Sequence, residues 1–505
     1  MDTTTQLNRR AFLSRTLPLP TAVKKPNLAG LEPFSPSPDQ PWDLMRAAHL
    51  LRRAGFGAPR EQVDALLNMS PTEAVDLLVD EAIAMAVPTP PDWAAVPPPP
   101  FEAPQEEKDA FNEQNQANKL AYRAQWMRDM PANGLRDKMA LLWSNHFVTQ
   151  QSGYGLGPYM VQYLTLLRTH ALVNFKTFAH EVGTLPAMLL YLNGQQNQKN
   201  GPNENYAREL CELFTMGITD AGGRPNYTQE EITEIARALT GFRVDRSTVS
   251  SYFEPNRFDT GDKTFFGRTG DFGYDDVIDI IFEERAQSTA YRVCTKLYKQ
   301  FVFDEPDAAI IDELATQFIA GGFEIAPIVR TLLKSAHFFD DSVIGAKIKS
   351  PIEYLQCLVS EMGMVLPDDA LITMYRYGRN LSQSLFEPPN VAGWPGNHAW
   401  LSTGTMPLRW NYAINMINGN AAFEDLDPLP VAKQMSAPSD PYALSRELVD
   451  AFLTQPLAEE EYETLVEVML DGTPDYEWDI EEMATPVRLR GFFAYLAQLP
   501  EYQLM

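Results

Sequence analysis

Residues 203–242 read NENYARELCELFTMGITDAGGRPNYTQEEITEIARALTGF, and this stretch decides the fold. At about 100° per residue, the apolar residues between Tyr206 and Phe214 fall on one side, which predicts an amphipathic helix. Thr228 and Glu231 form a T-x-x-E capping box, which predicts the start of a second helix. Its apolar residues again share one face. The stretch is therefore predicted to be an αα-hairpin.

The first arm of this hairpin carries polar side chains that could form a site. Asn205, Glu209 and Glu212 share one face, and Arg208 precedes Glu212 by four residues, within reach of an ion pair. Glu209 and Glu212 are candidate catalytic carboxylates, and Asn205 and Arg208 are candidate ligand-binding residues. The alternative is a buried polar network in which these groups bind only one another.

Two histidines are further catalytic candidates. His146 falls on the apolar stripe of residues 135–146, where it is either a core histidine with one hydrogen-bond partner or a metal ligand. His398 lies between two tryptophans in the Pro- and Gly-rich loop 386–401, which predicts a core plug or the wall of a site. Trp394 of this loop and Arg409 in the following helical segment complete the ligand-binding candidates.

Residues 244–276 break the helical rhythm and contain short β-prone pieces. Asp259, Asp262 and Asp271, with nearby glycines, offer oxygen ligands for a divalent cation. Their spacing does not match an EF-hand, and an Asx-type turn is the alternative. The interpretation of the three aspartates as metal ligands is kept as a hypothesis.

Composition excludes some classes of partner. The 505 residues carry a net charge of −26 and show no basic cluster, so nucleic acid is not expected as a partner. No apolar run approaches the roughly 20 residues of a membrane-spanning helix.

Asn8–Leu13 resembles a twin-arginine export motif, but the following apolar stretch is short. If Arg9-Arg10 functions, the protein is exported to the periplasm, and otherwise it is cytoplasmic.

The fold class predicted is mainly α. We expect a large multi-helix, bundle-like domain with a short irregular, β-prone insertion near 244–276 and long Pro-rich loops. Within it, one helix is expected over residues 60–85, and a long helix from Glu106 is expected to end at Pro131. The predicted organisation is a flexible arm (1–40), a main helical domain (41–424), a linker (425–441) and an acidic C-terminal helical module (442–505) packed on the main domain.

Several blocks together resemble the bacterial DUF1800 family, a domain of unknown function. The blocks span from residue 49 to residue 503 in the family's order: His49–Gly57, Trp143–Phe147, Asn203–Leu210 with Leu213-Phe214, Ala238–Phe242, Asp259–Gly267, Lys349–Pro351, Pro388–Gly396 and Leu499–Gln503. The resemblance implies a largely helical protein, often exported, that accompanies a sulfatase-like DUF1501 partner. Phe258 and Arg285-Ala286 stand where the family tends to have a histidine and a His-Pro pair, so any metal ligands at those positions are missing here.

Two hypotheses of function follow. The first is a partner-binding or envelope-associated protein that acts with the DUF1501-like companion, which fits the acidity and the missing catalytic motifs. The second is a hydrolase-like or metal-assisted enzyme. Its pocket combines His146, Asn205, Arg208 and the two hairpin carboxylates with His398 of the aromatic loop. The position of Glu209 and Glu212 relative to a histidine discriminates between them.

Overall fold

The computed structural model describes residues 30–505. The structure is 57% helical, and residues 30–505 form 22 α-helices and only two small two-stranded sheets. This confirms the mainly α fold class. The twin-arginine motif predicted at residues 8–13 lies outside the described residues.

The helices up to the end of the hairpin are α1 (Leu44–Ala54), α2 (Arg60–Leu67), α3 (Pro71–Ala84), α4 (Gln105–Asn133), α5 (Leu135–Ser144), α6 (Gln151–Tyr154), α7 (Gly157–Thr169), α8 (Phe175–Gly183), α9 (Pro186–Tyr191), α10 (Glu204–Glu209) and α11 (Gln229–Ala238). Short antiparallel strands then form two hairpins, β1 (Phe242–Asp245) with β2 (Ser250–Phe253) and β3 (Lys263–Phe265) with β4 (Arg268–Gly270). This is the predicted β-prone insertion.

The remaining helices are α12 (Tyr274–Glu284), α13 (Ala286–Phe301), α14 (Ala308–Ala320), α15 (Ile325–Lys334), α16 (Pro351–Glu361), α17 (Asp368–Asn380), α18 (Thr405–Ile417), α19 (Leu429–Ala432), α20 (Pro441–Phe452), α21 (Glu459–Leu470) and α22 (Thr485–Leu496). Among residues 30–505, no helix has both the length and the apolar character needed to cross a membrane.

The αα-hairpin predicted from residues 203–242 is present as α10 and α11. Both hydrogen bonds of the Thr228–Glu231 capping box form. Gly217 ends the first arm with φ +82°, and its N–H bonds the Cys211 carbonyl at 2.9 Å. The hairpin forms because its helix starts and stops are encoded locally.

Pro131 does not end α4, contrary to the prediction. The helix runs on to Asn133 although Pro131 has no N–H for the carbonyl of Met127. Gln356 of α16 supplies the missing donor, because its Nε2 bonds the Met127 oxygen at 2.7 Å. A donor from a distant helix therefore replaces the local one.

Residues 60–85, predicted as one helix, form two. α2 ends before Asn68, and Ser70 starts α3 with a complete capping box to Glu73 and with Pro71 at the first helical position. The second helix therefore starts at its own capping box and Pro71, although the apolar pattern continues across both helices.

The core is a continuous cluster of buried apolar side chains that extends from Phe34 to Tyr502. The end of the chain folds back onto the loop before α16, where Lys349 Nζ donates to the Tyr502 carbonyl at 2.9 Å and Met505 N donates to the Lys347 carbonyl at 2.8 Å. The C-terminal helices thus share the core with the helices before them.

Candidate functional site

The first arm of the hairpin changes its winding at the residues that were predicted to be functional. After α10, residues Leu210–Phe214 form a π-helix, which we call the π-turn. Thr215 Oγ1 donates to the Leu210 carbonyl at 2.6 Å and so closes the wider turn. Such turns are rare and often lie at functional sites.

Side chains from two other helical segments complete the hydrogen bonding of the π-turn. Arg292 of α13 donates from Nε to the Leu213 carbonyl at 3.1 Å. His146, just after α5, donates from Nε2 to the Phe214 carbonyl at 3.0 Å. Carbonyls at the C-terminal end of a helix lack backbone partners and favour cationic or N–H donors. These contacts therefore hold the π-turn in place.

His146 is a core histidine with one polar partner. It is 1% exposed, and aromatic rings, including those of Trp143 and Phe147, surround it. Burial, together with the positive charges of Lys296 and Arg292, lowers the pKa of His146 well below its ordinary value. The imidazole is therefore neutral, and its proton lies on the Nε2 that faces Phe214.

Asn226 holds the turn that follows. It is 5% exposed, and its Nδ2 donates to the carbonyls of Met216 at 2.8 Å and Gly217 at 3.0 Å.

We expect Asn226→Ala to lower the free energy of unfolding by about 2–3 kcal/mol, because two buried carbonyls lose their donor. Chemical denaturation measures this. Ser288→Ala, which removes only one bond to Asn226, is the control and should cost about 1 kcal/mol; equal losses in both variants would contradict the role of Asn226.

Glu212 is satisfied within the hairpin. Its Oε1 accepts a hydrogen bond from the Tyr227 hydroxyl and lies 3.5 Å from Arg208 Nη1. Arg208 also pairs with Glu204 at 3.0 Å and donates to Gln229 at 2.8 Å. The predicted Arg208–Glu212 pair is thus present as part of a network that joins the two arms.

Glu209 is not part of that network. Its carboxylate is partly buried and makes no hydrogen bond or ion pair with residues 30–505. Burial and the nearby charge of Glu212 raise the pKa of Glu209. Burial and the charges of Glu209 and Glu387 likewise raise the pKa of Tyr191 to about 12. We call these four residues, Glu209, Glu212, Tyr191 and Glu387, the Glu209 surface.

The Glu209 surface combines an aromatic ring with excess negative charge. Glu387 accepts hydrogen bonds from the backbone and hydroxyl of Ser152 and forms no ion pair in the described chain, although its charge reaches Lys119. Of the three carboxylates, only Glu212 forms an ion pair with an arginine, and Arg208 acts on Glu209 only through its nearby charge. Carboxylates beside a tyrosine ring favour a positively charged group through both charge attraction and cation–π contact.

Asn205 has a structural position. Its side chain is exposed, donates from Nδ2 to the Leu192 carbonyl at 3.2 Å, and lies next to Asn203, which caps α10. Neither Glu209 nor Glu212 contacts a histidine or Asn205. The hairpin candidates therefore do not converge into one catalytic pocket.

The loop 386–401 docks on the residues next to His146. Asn145 accepts from Trp394 N at 2.6 Å and donates to the Trp394 carbonyl at 3.2 Å. Trp394 is 5% exposed and packs with Trp400 and Ile348. His398 is exposed on a short 3₁₀ turn, and its imidazole has no polar partner among residues 30–505. The structure thus separates His398 from the hairpin.

Arg409 lies in a different buried network. It is fully buried, donates to the Lys349 carbonyl at 2.8 Å and to Gln503 at 3.2 Å, and stacks over the Tyr354 ring. Burial lowers the pKa of Arg409 to about 10. Its contacts fix the C-terminal segment of the chain, away from the Glu209 surface.

The structure does not group the three aspartates of the β insertion as metal ligands, and Asp259 and Asp271 each pair with a cationic side chain. Asp259 accepts from Arg237 at 2.9 Å, and Lys263, fully buried, pairs with Asp271 at 2.8 Å. Asp259 also forms the predicted Asx-type turn, with Gly261 N at 2.9 Å from its Oδ1. In the part of the chain that the structure describes, no three His, Cys, Asp or Glu side chains are placed to hold a metal ion.

Sequence reasoning missed the two cations of α13 and the clamp formed by Asn145. Arg292 contacts the π-turn, and Lys296 follows it by four residues on the same face of α13. That spacing could have identified the two cations. Nothing in the sequence around Asn145 indicates its bonds to Trp394, which is 249 residues away.

Comparison with known proteins gives a family and no function. A family model described as "Protein of unknown function (DUF1800)" matches residues 49–504, nearly the whole chain. No curated protein and no solved structure matches the chain. The matched range includes the π-turn, the Glu209 surface and the docked loop. The chain therefore belongs to the DUF1800 family.

Proposed function

We propose that the protein is a partner-binding, envelope-associated protein that acts with a sulfatase-like companion of the DUF1501 type. The observation that carries this proposal is Glu209, a partly buried carboxylate without a hydrogen bond or ion pair in the described chain. A charge left unpaired in a partly buried position lowers stability. A cationic group of a partner removes that cost.

The Glu209 surface suits a lysine or arginine side chain of the companion. Tyr191 offers a ring, and Glu387 adds a second carboxylate that forms no ion pair in the described chain. Arg208 cannot neutralise Glu209 fully, because it is shared among Glu204, Glu212 and Gln229. Binding would therefore bring a cation to carboxylates that form no ion pair within the described chain.

The alternative function is a hydrolase-like or metal-assisted enzyme that uses the hairpin carboxylates and a histidine. It is less well supported, because His146 faces the Phe214 carbonyl and neither carboxylate contacts a histidine. Stoichiometric metal in the purified protein, lost in Glu209→Gln, would favour this enzyme over the binding protein.

Glu209→Gln tests the binding proposal. We expect the affinity for the purified companion to fall by about ten-fold or more, because a charged contact in a partly desolvated site is lost. The free energy of unfolding should stay unchanged or rise by a few tenths of a kcal/mol, because the raised pKa means that the ionised carboxylate destabilises the fold at neutral pH. Titration calorimetry and chemical denaturation measure the two effects.

Glu230→Gln is the matched control. Glu230 lies on the second arm of the same hairpin and is exposed, so its removal changes the net charge equally. We expect the affinity to change by less than about two-fold. If both variants bind the companion as the unmodified protein does, the Glu209 surface is not the contact.

A further inference from the structure

A proline-rich loop, residues 85–104, connects α3 to α4, and we call it the proline strap. It is attached to the body of the protein at three points. Arg136 of α5 donates to a carbonyl at its start at 2.6 Å, and Lys108 of α4 donates to a carbonyl near its end at 2.5 Å. Between them, Trp93 packs edge-on against the Tyr122 ring. These contacts fix the course of the proline strap over the surface.

The part of the proline strap after Trp93 has a polyproline II conformation. Residues 97–100 are four consecutive prolines, each of which fixes φ at about −65° and has no N–H. Val96, which precedes them, is extended, with φ −85° and ψ 115°. The carbonyls of residues 96–99 accept no hydrogen bond from a backbone N–H of residues 30–505. A polyproline II segment is preformed, so a partner binds it with little loss of conformational entropy.

One edge of this polyproline II segment faces solvent. The conformation has three residues per turn, so Pro97 and Pro100 lie on the same edge, and both are exposed. The two prolines between them are half-buried. Phe101 follows at a turn and is 90% exposed, with Lys108 Nζ 5.3 Å from the centroid of its ring. An exposed P-x-x-P edge beside an aromatic ring is the kind of surface that aromatic-lined grooves bind.

The charges around this edge indicate what kind of groove fits. Asp92 precedes the prolines and three glutamates follow them, and all four are exposed: Asp92, Glu102, Glu106 and Glu107. Residues 85–107 contain no lysine or arginine, and Lys108 is bound to the carbonyl of Phe101. A groove with a basic rim is therefore complementary to this segment, whereas an anionic membrane surface repels it.

We propose that residues 96–101 bind the aromatic-lined, basic-rimmed groove of a partner protein. Pro97 and Pro100 stack on the rings of the groove, and the carbonyls of the segment accept hydrogen bonds from its tryptophan or tyrosine side chains. Phe101 extends the apolar contact beyond the prolines. This segment shares no residue with the Glu209 surface, so the two proposals are tested independently.

Calorimetric titration of the full chain with a purified WW domain that binds proline runs tests the proposal, because such domains have an aromatic-lined groove. We expect one WW domain to bind per chain. The affinity should fall about ten-fold or more in the double variant Pro97→Ala with Pro100→Ala, because both prolines that stack in the groove are lost. Absence of binding to the unmodified protein overturns the proposal.

The double variant Pro88→Ala with Pro90→Ala is the matched control. Both prolines are exposed in the same proline strap but lie outside the four-proline run. Their replacement should change the affinity by less than about two-fold. An equal loss of affinity in the two double variants would mean that residues 96–101 are not the contact.

The exposed ring of Phe101 also allows a test against a membrane surface. Phe101→Ala should weaken binding of the WW domain several-fold, and the unmodified protein should not sediment with vesicles of phosphatidylcholine and phosphatidylglycerol. Sedimentation with these vesicles that is lost in Phe101→Ala would assign the ring to a lipid surface and overturn the proposal of a protein partner.

Discussion

Replacing Lys138 by methionine is expected to lower the free energy of unfolding by about 3–5 kcal/mol, because it leaves a buried carboxylate without its main partner. Lys138 of α5 pairs with Glu353 of α16, and the two side chains are 0% and 8% exposed. Lys138 Nζ also donates to the Gly55 carbonyl at 3.0 Å. The ammonium therefore joins three segments of the chain that are far apart in sequence. Chemical denaturation at pH 7 measures the loss.

The dependence on pH identifies the cause of this loss. Burial alone would raise the pKa of Glu353, but the charges of Lys138 and Lys347 and the bond from Ser350 lower it to about 2. A carboxylate whose pKa falls on folding stabilises the native state above its unfolded pKa of 4.5. That stabilisation disappears as the pH falls toward 2. In Lys138→Met the pKa of Glu353 rises, so acid protonates the stranded carboxylate and relieves its unpaired charge.

The deficit of Lys138→Met should therefore be smaller at pH 4 than at pH 7. The double variant Lys138→Met with Glu353→Gln should recover part of the loss, because no unpaired charge remains. Lys433→Met, which breaks only the exposed pair with Glu481, is the matched control and should change stability by less than about 0.5 kcal/mol. A deficit of the same size at both pH values would show that lost packing, and not the stranded charge, causes it.

The parts of the fold that were predicted correctly are those encoded by neighbouring residues. The hairpin follows from the Thr228–Glu231 capping box and from apolar stripes that any helix of this sequence must bury. The end of α4 was predicted wrongly because the donor that replaces the missing N–H of Pro131 comes from Gln356. A sequence pattern records what a segment prefers, and does not record a donor 229 residues away.

In the candidate site, too, the features encoded by neighbouring residues were predicted, and those that depend on distant residues were not. Periodicity placed Glu209 and Glu212 on one face, and in the structure the charge of Glu212 acts on Glu209. Periodicity could not show that Glu212 has a hydrogen-bond partner and Glu209 has none in the described chain. That partner is Tyr227, on the returning segment of the hairpin. The π-turn was not predicted either, since two of its carbonyls are bonded by His146 and Arg292 from other helical segments. Helical periodicity predicts which helix face carries the carboxylates, and tertiary contacts determine which carboxylate stays unpaired.

Gly393→Ala is expected to be the most disruptive change in the docked loop, with a loss of about 4 kcal/mol or more. Gly393 is buried and has φ +85°, which costs an alanine about 1–2 kcal/mol in backbone strain. A Cβ there would lie 2.9 Å from the Asn145 carbonyl oxygen and closer still to Oδ1. The loop must then move off Asn145 and lose its two bonds to Trp394, at about 1–1.5 kcal/mol each.

Gly396→Ala in the same loop is the control that carries backbone strain without a steric clash. Gly396 has φ +78°, but nothing lies within 4 Å of a Cβ built on it, so alanine there should cost only about 1–3 kcal/mol of backbone strain. Asn145 precedes His146, whose imidazole holds the Phe214 carbonyl. Amide hydrogen exchange in residues 210–217 should therefore speed up in Gly393→Ala and stay unchanged in Gly396→Ala. Equal exchange in the two variants would mean that the docked loop does not support the π-turn, and that His146 is held in place by its aromatic neighbours alone.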